Sequence, residues 1–80
     1  MAWHVYIIEC SDGSLYTGIT NDLDKRITAH NDGRGAKYTK SRRPVRLRYS
    51  EPAANRKSAS QREYVIKSLR KAEKMQLLTT

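Results

Sequence analysis

Five residues of this chain could do chemistry together: Tyr6 and Tyr16, Arg26 and His30, and Glu63 in a basic stretch. Hydrolysis of a phosphodiester needs an activated water, stabilisation of charge on the phosphoryl oxygens, and help for the leaving oxygen. A tyrosine can orient or deprotonate the water, and an arginine can hold the phosphate. Glu63 can carry a metal. A hard cation such as Mg²⁺ accepts one or two protein carboxylates and takes its other ligands from water and substrate phosphate. Each residue also has a plainer use. Tyrosines pack and make one hydrogen bond, an arginine snorkels or forms a salt bridge, and a histidine can be structural. Glu63 stands at helical spacing from Lys67 and beside Arg62, either of which could pair with it.

The elements that must position these residues are legible in outline. In "VYIIECSDGSLYTGITN", residues 5–21, two β-prone runs flank Ser11-Asp12-Gly13. A three-residue loop with Gly13 in the left-handed conformation pairs Cys10 with Ser14, Ile8 with Tyr16 and Tyr6 with Gly18. This register segregates Val5, Ile7, Leu15, Thr17 and Ile19 on the natural core face and puts both tyrosines on the other. A two-residue Asp-Gly turn would separate the rings. Gly18 opposite Tyr6 leaves room beside the ring.

Asn21-Asp22 offers a cap for a short helix over 23–31. Leu23, Arg26, Ile27 and His30 fall on one face of it. An arginine and a histidine facing inward need partners, because an unpaired buried charge is costly; together they suit an anion. Residues 32–44 read as irregular, basic and flexible. A third strand over 45–50 places Val45, Leu47 and Tyr49 on one face, Arg46 and Arg48 on the other. A helix over 57–70 has Ala59, Val65, Ile66 and Leu69 on its apolar side, with Glu63 at the border, and a last helix over 72–78 closes the core. The order β-β-α-β-α-α is that of an α+β fold, one small domain over 1–80 with a three-stranded, mainly antiparallel sheet flanked by helices. Tyr6, Tyr16, Arg26 and Glu63 are expected on one concave face of that sheet.

Bulk properties point the same way. Sixteen Lys and Arg against eight Asp and Glu leave a formal charge of +8 on 80 residues, so the expected partner is a polyanion, nucleic acid first. Lys37, Lys40, Arg42, Arg43, Arg46 and Arg48, with Tyr38 among them, form the expected phosphate-tracking surface. No base-reading set accompanies them, so binding should be weakly sequence-specific. A chain this short buries roughly 60% of its unfolded surface, enough for a small core. The lone cysteine, Cys10, excludes an internal disulfide and a multi-cysteine zinc site. No apolar stretch approaches the roughly 18 residues of a membrane span, and the start of the chain lacks a leader pattern. The expectation is a cytoplasmic protein without a membrane partner.

The ordered set resembles the GIY-YIG nuclease domain, in particular its small, uncharacterised stand-alone members. His4-Val5-Tyr6 matches the first motif, with His4 in place of glycine, and Tyr16-Thr17-Gly18 the second, with Thr17 at its centre. "NDLDKR" with Arg26, "GRGAKYT" at 33–39, "RRPVRL" at 42–47 and Glu63 complete the likeness, which runs from about Trp3 to Leu78. The resemblance implies a role on the scissile phosphate for Arg26, one divalent cation, Mg²⁺ or Mn²⁺, on Glu63, and water activation by one of the two tyrosines. His30 falls where members carry His or Tyr near the site. The implied function is endonucleolytic hydrolysis of DNA, branched or damaged DNA included, in repair or recombination. The alternative is a nucleic-acid-binding module with weak or no cleavage, and a third reading is a regulatory protein with an acidic partner. With no second domain in this sequence, affinity for a target must come from its own basic surface, from self-association or from a protein partner.

Overall fold

A computed structural model describes residues 2–78. Three strands, β1 (Trp3–Glu9), β2 (Leu15–Thr20) and β3 (Arg46–Ala53), form one antiparallel sheet in the order β2-β1-β3. The helices are α1 (Leu23–Asn31), a single turn α2 (Lys37–Lys40), α3 (Arg56–Lys67) and α4 (Lys71–Leu78). The expected order is present, with α2 added.

The hairpin takes the expected register. Tyr6 faces Gly18 and Ile8 faces Tyr16. Cys10 N–H donates to the Ser14 carbonyl at 2.8 Å, and Gly13 closes the loop at φ 83°. Asp12 Oδ1 accepts from both the backbone and the hydroxyl of Ser14, which pins the turn.

β1 is the central strand, and Val5, Tyr6, Ile7 and Ile8 are all fully buried. Burial of a Val or Ile side chain contributes roughly 1.5–3 kcal/mol. Both faces of β1 are covered. Val5 and Ile7 pack with Ala59 and Ile66 of α3, joined by Leu15, Ile19, Tyr49 and the Leu77–Leu78 end of α4. Tyr6 and Ile8 pack with Cys10 and Val45, joined by Tyr16, Leu23 and Ile27. The tyrosine face is therefore a second core, roofed by α1.

Three expectations need correction. The third strand runs to Ala53, and its pairing with β1 slips between Ile7 and Ile8. Tyr49 faces Ile7 while Leu47 faces Ile8, so Val45 and Tyr49 serve opposite faces. A bulge adds one residue to one strand and inverts the alternation beyond it. The long helix ends at Lys67, where Ser68 caps it, and Val65 is exposed. Segment 32–44 is also not a flexible loop: it holds α2, whose Thr39 is fully buried.

Candidate active site

Asp22 caps α1 by accepting from Lys25 N–H, and the helix then lays Leu23 and Ile27 against the sheet. Arg26 and His30 share that inward face, as the spacing requires. His30 is fully buried and Arg26 half-buried. Their partner is Tyr6. Its hydroxyl lies 2.8 Å from His30 Nε2 and accepts from Arg26 Nε at 3.3 Å. The Tyr6 ring lies over Gly18, where a Cβ would sit 2.5 Å from the hydroxyl oxygen. The missing side chain in β2 is what allows a residue of the central strand to project its hydroxyl toward the β2 edge.

Tyr16 adjoins the same cluster. Its ring meets His30 edge-on at 5.5 Å and stacks on Tyr38 of α2 at 6.0 Å. The two tyrosines differ in exposure: Tyr6 is sealed, Tyr16 half-buried. Burial raises the Tyr6 pKa above its ordinary value, against the opposing pull of Arg26. His30 is pushed down to about 4, first by burial and then by the Arg26 charge. It is therefore neutral at physiological pH.

Glu63 reaches the site from the opposite side of the sheet. It stands on α3, which packs on the Val5–Ile7 face. Lys67 marks the crossing point: its ammonium is 3.1 Å from Glu63 and 5.9 Å from the centre of the Tyr16 ring. The five residues thus gather around the β2 edge, four from one face and Glu63 from the other, rather than on one concave face. Among the described residues, no group of three or more His, Cys, Asp or Glu could cage a metal. A half-buried single carboxylate still fits a hard cation that draws its other ligands from water and phosphate. Lys67 must swing away for that.

The basic segment is partly engaged with the protein itself. Arg42 bonds Asp12 at 3.1 Å and the Tyr38 carbonyl at 2.9 Å, and lies 4.0 Å from the centre of the Tyr38 ring. Arg43 donates to the carbonyls of Lys40 and Asn31. Arg46 and Arg48 both turn to Glu9, whose carboxyl they hold below its usual pKa. Lys37 and Lys40 are exposed on α2. Surface ion pairs are worth at most about 1 kcal/mol, so Arg42, Arg46 and Arg48 can exchange a carboxylate for a phosphate.

Sequence reasoning missed Asn31 and Thr39. Asn31 Oδ1 accepts from Val45 N–H at 2.7 Å and its Nδ2 donates to the Val45 carbonyl at 3.0 Å, tying α1 to the start of β3. Thr39 Oγ1 lies 2.9 Å from His30 Nδ1. The only signal for Thr39 was its place in "GRGAKYT". Asn31 had none, since a polar residue ending a helix reads as solvated.

Comparison with known proteins places this geometry in context. The model of the GIY-YIG catalytic domain matches residues 2–76. A UPF0213 protein of Clostridium perfringens is 54% identical over 77 residues, covering 96% of this chain and 83% of that one. Another from Staphylococcus saprophyticus is 50% identical, covering 95% and 93%. The solution NMR structure of a UPF0213 protein from Bacillus halodurans is 46% identical, covers 99% of this chain and 84% of that one, and superposes with a TM-score of 0.63.

Proposed function

The chain belongs to the GIY-YIG catalytic domain family, and from that premise we propose that it is an endonuclease that hydrolyses DNA phosphodiester bonds with the help of one divalent cation. The observation that carries this reading is the convergence of Tyr6, Tyr16, Arg26 and His30 by direct contact, with Glu63 linked to Tyr16 through Lys67. Arg26 has its Nε engaged by Tyr6, so its two terminal nitrogens face the phosphate as a fork. Tyr16 keeps exposed surface and is the phenol that meets the attacking water, whereas Tyr6 and His30 form the buried support behind Arg26. Glu63 is the residue that would hold Mg²⁺ or Mn²⁺, whose chemistry is to offset charge on the leaving oxygen. Exposed Lys37 and Lys40, with Arg43 and the exchangeable Arg42, Arg46 and Arg48, extend the positive surface along a DNA backbone.

The Glu63–Lys67 ion pair favours one other reading, a nucleic-acid-binding module with weak or no cleavage. Nicking of supercoiled DNA in Mg²⁺ or Mn²⁺ separates the two. Wild type is expected to nick, Glu63→Gln to lose metal-dependent turnover, and Arg26→Ala to lose about 10²–10³ in rate, as for removal of one preorganised contact to developing charge. Cleavage unchanged in both variants would overturn the proposed roles, and binding without cleavage by wild type would favour the module.

A further inference from the structure

In the stretch "GRGAKYT", Gly35 and Thr39 have no part in the chemistry above, yet both are built around His30. Gly35 lies so close to the imidazole that a Cβ there would run into Nδ1, and into Cγ at 2.7 Å. Thr39, fully buried four residues on, has Oγ1 at 2.9 Å from Nδ1 and donates to the Ala36 carbonyl at 3.0 Å.

Counting protons along this path fixes their positions. The Ala36 carbonyl has none, so the proton between it and Thr39 is the threonine's. The Thr39 oxygen can then only accept from His30, which puts a proton on Nδ1. A neutral imidazole has one N–H, so Nε2 is bare and takes the Tyr6 hydroxyl proton across 2.8 Å. The Tyr6 oxygen is left to receive Arg26 Nε–H. Every donor has an acceptor, and the bonds run one way: Arg26, Tyr6, His30, Thr39, Ala36. The opposite tautomer would turn Thr39 away from Ala36 and leave the buried Tyr6 proton without its acceptor.

We infer that Thr39 is a positioning residue: it holds His30 in the Nδ1-protonated tautomer and, through Tyr6, sets the orientation of the Arg26 guanidinium. Its effect on turnover rests on the nuclease reading; the tautomer does not. An apolar roof could bury His30 equally well, but it would leave the Nδ1 proton without an acceptor and only the Tyr6 bond at Nε2 to act on the tautomer.

The test reads the tautomer and the chemistry separately. Long-range ¹H–¹⁵N correlation spectra of the histidine rings at neutral pH are recorded for wild type, Thr39→Ser and Thr39→Val. Wild type and Thr39→Ser are expected to show His30 protonated at Nδ1 with Nε2 bare; Thr39→Val is expected to show that preference weakened, with an Nε2-protonated ring now populated. In nicking assays, kcat of Thr39→Val should fall about tenfold or more, in line with the loss of an outer support to a working site, at unchanged KM for DNA, and Thr39→Ser should recover it. A wild-type His30 protonated at Nε2 overturns the inference whatever the variants do. So does a folded Thr39→Val that keeps the Nδ1 tautomer to the same extent as wild type. A wild type with the expected tautomer that never cleaves DNA removes the nuclease reading and leaves the assignment of Thr39 to the His30 tautomer standing.

Discussion

Protonating His30 would set a second positive charge beside Arg26 in a space closed to water. The consequence is a pH-dependent stability whose sign is fixed. The folded pKa is about 4 and the ordinary value 6.5. Between these the unfolded chain binds the extra proton, so stability is full above about pH 6.5 and falls as pH drops toward 4. The ceiling is roughly 3.5 kcal/mol, because each tenfold difference in proton affinity between the folded and unfolded chain is worth about 1.4 kcal/mol. Urea melts at pH 7, 5.5 and 4.5 should show the loss in wild type and much less of it in His30→Gln. Equal loss in both would assign the effect to carboxylates instead. At this scale the sequence was informative about residue types and silent about depth. The helical spacing of Arg26 and His30 put both on the inward face. Gly18 opposite Tyr6 indicated room for that ring but not its depth: α1 closes over Tyr6, with Arg26 and His30 on its hydroxyl, while Tyr16, against Tyr38 of α2, keeps exposed surface.

Elements bring these residues together through a few specific devices, and two can be broken singly. Gly18→Ala would force the Tyr6 ring off β2; such overpacking costs about 1–3 kcal/mol. The expected result is a lower urea midpoint and shifted ring signals of Tyr6 and His30. An unchanged midpoint would mean the ring has slack. Asn31→Leu would strip both partners from the Val45 backbone, leaving buried polar groups unsatisfied at about 1–3 kcal/mol. Faster hydrogen exchange at Val45 and its strand neighbours would report it. The hairpin register was readable because turn chemistry and β-branched alternation agree on it. The β3 face pattern was not, because strict alternation from Val45 to Tyr49 hides the slip against Ile7 and Ile8. The continuous run Val5–Ile8 did carry a sign of two-sided burial, since a strand with one wet face alternates in polarity.

As a whole the molecule is a small basic body with no helix long and apolar enough to cross a membrane among its described residues. Its affinity for DNA should be carried by counterion release, with a log–log salt slope of about −0.9 for each phosphate neutralised on duplex DNA. Lys37 and Lys40 are the better probes, because Arg42 and Arg43 also brace the α2 turn. Titration of fluorescent duplex and branched DNA over a salt series should give Lys37→Gln/Lys40→Gln a slope shallower by about 2, without loss of fold. Identical slopes would place the DNA elsewhere on the surface.

β1 is both the first strand along the chain and the middle one of the sheet. Its two flanking partners arrive at very different times when the chain is made. β2 follows after a five-residue loop, whereas β3 begins at Arg46, long after the hairpin can form. Until then the strand has one unpaired edge, and although α1 has already been made, the face that α3 covers waits longer still. Arg26 and Glu63 come from the helices that cover the two faces of β1, so the candidate cluster is complete only once α3, from the last third of the chain, has joined the sheet.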